Sequence, residues 1–387
     1  MIEMKPIPYG KQEINKEDIK AVVDVLKSDF LTQGPMVEKF ESEFAKYVGS
    51  KYAISVSNGT AALHLSALAL GVKKGTKIIT TPLSFVATSN CIEYCGGEVE
   101  FCDINPDTLC LDIDLVREKL ENAPKGTYSG IIPVDFAGYP VNMQEFRDLA
   151  NEYSLWILED SCHAPGGYFI DSKKQIQKCG NGNYADLAIF SFHPVKHIAC
   201  GEGGMITTND FNLYEKVKLL RTHGINKEKD KLAEFRGGWS YEMQTLGFNY
   251  RLADIQCALG ISQLKRAEKN LKKRRSIANY YKKKLNSLPI EFPEANYYHG
   301  NAFHLFIIYS KDRLNLYNFL KEKNIFTQVH YIPIHTMPYY VKKYGSQQFN
   351  FAESHYDKCL SIPIYQGLDR KTQDYVIESI RTFYDKF

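Results

Sequence analysis

The sequence predicts an α/β protein: a large domain on a mostly parallel sheet, then a smaller C-terminal α+β unit. Three observations predict it. Between Tyr52 and Glu159, short apolar runs alternate with helical patterns. That is the rhythm of β-α-β crossovers, whose helices cover both faces of a parallel sheet. A long helical pattern then runs from about Leu252 to Leu285. After it come two short strand patterns and two helical ones, enough for a compact second unit only. At 387 residues the chain exceeds one ordinary core, and we divide it at 1–260 and 261–387.

The elements follow in order. Asn15 heads an amphipathic run to Ser28, with Ile19, Val22, Val23 and Leu26 on one face, a capped helix. Thr32-Gln33-Gly34-Pro35 reads as a turn, and 36–48 as a helix with Phe40, Phe44 and Tyr47 in its stripe. Strands are expected at 52–56, 77–80, 99–102, 130–134 and 155–159. Helices are expected at 60–70, from about 84, at 112–120 and at 142–153. Two further strands, 187–190 and 205–207, flank a lysine-bearing stretch. The 252–285 helix is basic in its second half, from Lys265 and Arg266 to Arg274 and Arg275. No stacking aromatics interleave with these charges. Leu264, Ala267, Leu271 and Ile277 give the helix a buried side, so the charge reads as a solvated face between domains. The C-terminal unit has strands near 304–309 and 326–330 and helices at 312–323 and from 371.

Composition narrows the class. Hydrophobic residues at 44% and charged residues at 24% are those of a soluble globular chain. A net charge of +3 implies no general pull toward nucleic acid or membrane, and neither partner is expected. Residues 1–10 have no apolar signal core, and the stretch 61–72 is too short to span a bilayer. Nine cysteines, without a Cys-x-x-Cys, read as reduced thiols in a cytoplasmic protein.

The chemistry gathers around Lys196. It stands between His193 and His197, just ahead of Gly201-Glu202-Gly203-Gly204. A loop lysine is ordinarily a solvated charge. One that forms a covalent imine must be partly neutral near pH 7, which burial and neighbouring cations favour. Ser57-Asn58-Gly59-Thr60 follows a strand and opens a helix, so its backbone N–H groups can hold an anion or can simply be capped. Asp160 ends a strand, where ligands of open α/β sheets bind, although an aspartate there also caps helices. Phe85 can stack on a planar ring or pack in a core. Asn249 and Arg251 can bind phosphate or carboxylate, or cap the next helix. His193 and His197 share a metal-like spacing, but Pro194 and the missing glutamate argue against a zinc helix, and no metal is expected.

Taken in order, Gly59-Thr60, Phe85, Asp160, Ser191 five residues before Lys196, Gly201-Glu202-Gly203-Gly204 and Asn249-Tyr250-Arg251 resemble the nucleotide-sugar aminotransferases of the DegT/DnrJ/StrS family. These are fold-type I, aspartate aminotransferase-like enzymes that use pyridoxal 5′-phosphate (PLP). The likeness runs from Leu31-Thr32-Gln33-Gly34 to Gln328-Val329-His330-Tyr331. It implies that Lys196 carries the cofactor and moves protons, and that Asp160 pairs with the pyridine nitrogen. It also implies that Phe85 stacks on the ring and that Gly59, Thr60 and Ser191 hold the phosphate. Asn249 would reach the cofactor of a partner subunit, making a homodimer with shared sites. His163 stands where many members have Gln, near the phenolic oxygen. Asp160-Ser161-x-His163-Ala164, Ser191-Phe192-His193-x-x-Lys196 and Gln328-Val329-His330-Tyr331-x-Pro333-Ile334 are most similar to the branch serving pseudaminic acid biosynthesis. That branch implies L-glutamate and a UDP-linked 4-keto-6-deoxy-N-acetyl sugar as substrates. Tyr9, Phe30, Leu31, Thr32, Arg251, His330 and Tyr331 would then line the sugar-nucleotide pocket. Relatives acting on other nucleotide 4-keto sugars share most of these residues. His197-Ile198-Ala199-Cys200 departs from the family, which often has Pro or Asn and then Thr. The rivals are a PLP-dependent sugar dehydratase, which commonly has His in place of this lysine, a non-catalytic regulatory protein on the same fold, and a nucleic-acid binder using 265–275.

Overall fold

The computed structural model describes residues 5–386; residues 1–4 and Phe387, which the two-part division includes, lie outside it. Seven strands form the central sheet, in the order Tyr52–Val56, Gly204–Thr208, Leu187–Ser191, Trp156–Asp160, Gly130–Ile132, Lys77–Thr80, Glu98–Phe101. Only Gly204–Thr208 runs antiparallel to its neighbours. The reason is local. The Lys196 segment connects Leu187–Ser191 directly to the next strand, without a crossover helix, so the chain returns reversed.

Helix Gly59–Ala69 shows how the sheet is covered. Its apolar residues do not form one stripe. Ala61, Leu63, Leu65 and Ala67 are all buried, because the helix lies between the sheet and the helices Ala87–Tyr94 and Phe211–Arg221. A helix apolar all round belongs inside. Burying Leu63 and Leu65 contributes roughly 1.5–3 kcal/mol each. The Asn58 carboxamide oxygen caps the helix start by accepting from Ala61 N at 2.8 Å.

The C-terminal unit has its own core, in which Ile277, Tyr281 and Leu285 meet Phe306, Leu316, Leu360 and Ile380. Its sheet pairs Phe306–Tyr309 with Cys359–Ile362, antiparallel. Strand Ile7–Pro8 pairs with Ile325–Phe326, and Ile7 is buried in this core. The start of the described chain therefore packs with the C-terminal unit.

Other differences from the sequence reading have local causes. The single 252–285 helix is two helices, Asp254–Leu264 and Ala267–Leu285. Arg266 leaves the helical conformation between them, at φ −114° and ψ 9°. Its guanidinium donates to both carboxylate oxygens of the buried Asp18, at 2.8 and 2.5 Å, and to Glu13 O at 2.7 Å. The basic run is also only partly a solvated face. Arg274 is fully buried, donating to the carbonyls of Phe303, His304 and Ile364 and to Gln366 Oε1. The helix expected near Ser84 begins at Ala87, which leaves Ser84-Phe85-Val86 in a loop. The strand expected at 326–330 is only Ile325–Phe326. Helices Phe211–Arg221, Pro338–Tyr344 and Asn350–Lys358 and strand Cys359–Ile362 were not anticipated. All nine cysteines are free. Among the described residues, no helix is long and apolar enough to cross a membrane.

Candidate active site

A cavity of about 950 Å³ opens at the carboxyl ends of the parallel strands, the position where open α/β sheets bind ligands. Each wall follows a strand. Asn58, Gly59 and Thr60 come after Tyr52–Val56, Ser84 and Phe85 after Lys77–Thr80, and Cys162 and His163 after Trp156–Asp160. Ser191 ends its own strand and Lys196 stands in the loop beyond it. The segment 328–332 of the C-terminal unit and Tyr9 close the cavity from outside the sheet.

Glycine keeps space open at position 59. A side-chain carbon there would stand 3.0 Å from Ser191 Cβ and 3.5 Å from Cys162 Sγ. Without it, the first N–H groups of the helix are open to an anion, since they have no partner within the helix. Ser191 lies directly across. Phe85, 57% exposed, stands on the cavity wall with its ring 6.2 Å from that of Tyr331.

Asp160 is buried and held at both oxygens. Oδ2 accepts from Thr88 Oγ1 at 2.7 Å, and Oδ1 from Cys162 N at 3.2 Å. Thr88 also meets Ser84 Oγ at 2.7 Å. Lys196 is half-buried. Burial pulls its ammonium below the ordinary lysine range and Arg274 adds to that, while Cys162 and Asp160 oppose it. The pull favours the neutral amine that imine chemistry needs.

Histidines crowd the inner end. The ring of His163 lies 4.2 Å from that of His304, which lies 5.8 Å from that of His197. Burial, helped by Lys196, holds His163 and His304 well below their usual pKa, and burial pulls His330 down to about 3. His197 Nε2 donates to Ala302 O at 2.9 Å, and Nδ1 of His304 is buried without a partner. The cavity therefore has a wall of neutral imidazoles beside one amine and one carboxylate.

Of the residues singled out in the sequence, the structure brings Tyr9, Gly59, Thr60, Phe85, Asp160, His163, Ser191, Lys196, His330 and Tyr331 to this cavity. It does not bring the other five. Phe30 and Leu31 are 53% and 48% exposed, and Thr32 bridges Ala253 on the outer surface. Asn249 is exposed and bridges Thr222, while Arg251 lines a separate groove beside Arg221 and Glu41. The pocket expectation for Phe30, Leu31, Thr32 and Arg251 thus fails within a single chain, because the turn at 30–34 is pinned elsewhere. Asp254 accepts from Gly34 N at 2.8 Å and Met36 N at 3.0 Å. Neither Asn249 nor Arg251 caps the following helix, whose N-cap is Ala253. Sequence reasoning passed over Thr88 and His304. Thr88 lies three residues after Phe85 and four after Ser84. His304 carried no local signal.

A model of the DegT/DnrJ/EryC1/StrS aminotransferase family matches residues 12–381. The chain is 36% identical to UDP-4-amino-4,6-dideoxy-N-acetyl-β-L-altrosamine transaminase of Campylobacter jejuni, over 98% of both chains. It is also 36% identical to spore coat polysaccharide biosynthesis protein SpsC of Bacillus subtilis, over 97% of this chain and 96% of that one. Among solved structures it is similar to Helicobacter pylori PseC, an aminotransferase of pseudaminic acid biosynthesis. That match has a TM-score of 0.89 and 31% identity, over 99% of this chain and 100% of the other.

Proposed function

The chain belongs to the DegT/DnrJ/EryC1/StrS aminotransferase family, and from that premise we propose that it moves the amino group of L-glutamate to C4 of a UDP-linked 4-keto-6-deoxy-N-acetylhexosamine. The product would be UDP-4-amino-4,6-dideoxy-N-acetyl-β-L-altrosamine, on the way to pseudaminic acid. The enzyme is a PLP-dependent sugar aminotransferase of the aspartate aminotransferase-like fold. One observation carries the reading. Lys196, Asp160 and the open Gly59-Thr60 helix start stand on the walls of one cavity, the three groups a pyridoxal phosphate needs for its aldehyde, its ring nitrogen and its phosphate.

The residues present fit that cofactor. The space left by the missing side chain of Gly59 faces Ser191, a cradle for phosphate. Thr88 and Cys162 N hold Asp160 where it would pair with the pyridine nitrogen. When bound, PLP supplies a carbonyl that exchanges amines and a ring that takes up the electrons of a deprotonated carbon. The protein does the rest. Lys196 anchors the cofactor, and its amine then accepts and returns the proton at the carbon that carries nitrogen. Phe85 offers a ring face, and His163 borders the phenolic side. Tyr9, His330 and Tyr331 line the space left for the sugar. Departure of 2-oxoglutarate before the keto sugar enters makes the kinetics ping-pong.

We assign Phe30, Leu31, Thr32, Asn249 and Arg251 to a second copy of the chain, in a homodimer whose sites are shared. The support is the exposed apolar loop beside them, where Trp239 is 77% and Leu246 76% exposed. Such a surface is covered in stable assemblies. Two inactive variants, Lys196→Ala and Asn249→Asp, should regain turnover when mixed and re-equilibrated; no recovery would sink the shared site. The domain division at about residue 260 and a cytoplasmic location belong to the same reading.

The substrate is tested directly. The protein is incubated with L-glutamate and a panel of UDP-, GDP- and dTDP-4-keto-6-deoxy sugars, and the aminated product is identified by mass spectrometry and NMR. Amination of the UDP sugar at C4 is expected. Preference for another nucleotide or sugar would favour the second reading, a 4-aminotransferase of the bacillosamine, perosamine or legionaminic acid type. That reading is kept because SpsC is as similar as the altrosamine enzyme.

A further inference from the structure

At the inner end of the cavity a hydrogen-bond chain has a fixed direction. The backbone N–H of Ala137 donates to His163 Nδ1 at 3.3 Å. A backbone N–H can only donate. Nδ1 therefore presents its lone pair, and the hydrogen of the neutral ring is on Nε2. Nε2 lies 3.3 Å from the Tyr331 hydroxyl oxygen, so imidazole donates and phenol accepts. The rings of His304 and Phe136 pack beside the imidazole, with centroids at 4.2 and 6.1 Å.

The Tyr331 hydroxyl hydrogen is then left over. Among the described residues no other group bonds that hydroxyl, and Tyr331 is on the cavity wall with its ring beside Phe85. A half-buried hydroxyl facing a cavity keeps its unused donor for whatever fills that cavity. We infer that Tyr331, aimed by Ala137 and His163, donates to an electron-rich oxygen of the molecules that fill the cavity. Two such oxygens meet there in the proposed reaction: the phenolic oxygen of PLP and the carbonyl oxygen of the incoming keto sugar. The inference rests on the aminotransferase reading. It gives Tyr331 a directed donor role that lining a sugar pocket does not require.

Tyr331→Phe removes the hydroxyl and keeps the ring. Two measurements separate the sources. The first is the pH titration of the visible absorbance of the lysine-bound cofactor. The second is stopped-flow spectroscopy of the two half-reactions, with calorimetry of the keto sugar binding to cofactor-free protein. Donation to the phenolic oxygen predicts that the titration midpoint rises by about one pH unit, since the lost donor stabilised the deprotonated form. Donation to the carbonyl predicts an unmoved midpoint, a glutamate half-reaction near wild type, and keto-sugar binding and turnover weaker by about tenfold. An unmoved midpoint with both half-reactions unchanged overturns the inference. So does an equal fall in both half-reactions with an unmoved midpoint and a lower melting temperature, which marks a packing role. If Tyr331→Phe does not fold, His163→Leu carries the same test: it can neither accept from Ala137 N nor donate to Tyr331, so the direction is lost, and a smaller shift of the same sign is expected. Wild-type protein without visible cofactor absorbance would instead strike the reading on which the inference rests.

Discussion

Glu159 and Asp160 are neighbours on one strand, yet they serve two different buried clusters. Successive side chains of a strand point to opposite faces. Glu159 turns to a closed pocket with Asp135 and Cys179, whose ligating atoms all lie within 4.8 Å of one another. The acceptors there are met from within. Gly180 N donates to Glu159 at 3.0 Å, and Val141 N and Ser161 Oγ each donate to Asp135 at 2.8 Å. Asp160 turns to the cavity, where, among the described residues, the Lys196 amine, the Tyr331 hydroxyl hydrogen and the Gly59-Thr60 amides keep donors without a partner. The difference teaches that acid content does not mark the site. Both clusters are buried and polar. Only one leaves valences open to a visitor, and only that one stands at the mouth of the sheet.

The comparison can be broken by substitution. The largest expected effect is at Lys196. Lys196→Ala should lower turnover by at least about 10²–10⁴-fold, the range of a lost acid–base group, and abolish the visible cofactor absorbance, with the melting temperature near wild type. Retained absorbance would mean that another group holds the cofactor. Next is Asp160→Asn, expected to cost about 10²–10³-fold in turnover, as for loss of a preorganised electrostatic partner. Its neighbour supplies the control. Glu159→Gln keeps a donor toward Asp135 and an acceptor for Gly180 N, so turnover should stay within a few-fold of wild type. Equal losses at 159 and 160 would erase the distinction between the closed and the open cluster.

Much of the open cluster was legible because its parts are local. Asp160 and Ser191 end strands and His163 and Lys196 follow within a few residues, so an apolar run closing on polar residues announces them. Tyr52–Val56 and Lys77–Thr80 lie where the apolar pattern put them for the same reason. What stayed hidden depends on partners far along the chain. The break after Leu264 exists because Arg266 meets Asp18, 248 residues away. Arg274 looks like one more cation in a basic run, and the carbonyls that bury it come from positions 303, 304 and 364. His304 gains its place beside His163 and His197, which lie far from it in sequence. The site role expected of Phe30 and Asn249 rested on the family resemblance alone, and neither reaches the cavity of its own chain.

The smallest expected effect is on stability, and here the two clusters should pull in opposite directions with pH. Burial raises Asp135 to about 6 and Glu159 well above the usual carboxyl range. A carboxyl whose folded pKa lies above its unfolded value, near 4, stabilises the fold at low pH and loses that contribution as pH rises through its folded pKa. Two buried histidines do the reverse: His330 on the cavity wall and His355, whose Nε2 donates to His330 O. Burial pulls His330 down to about 3 and His355 to about 4 from an unfolded value near 6.5, so their contribution is complete above 6.5 and is lost as pH falls toward 4. Wild-type melting temperature should therefore pass through a maximum and decline on both sides. Glu159→Gln removes one of the paired carboxyls while keeping its hydrogen bonds, so it should match wild type near pH 5 and exceed it by a few degrees at pH 8–9. His355→Gln should flatten the acid side and leave the alkaline side alone. Parallel curves for wild type and Glu159→Gln across this range would show that folding does not disfavour ionisation of Glu159. The closed cluster would then be no more than well-packed polar structure.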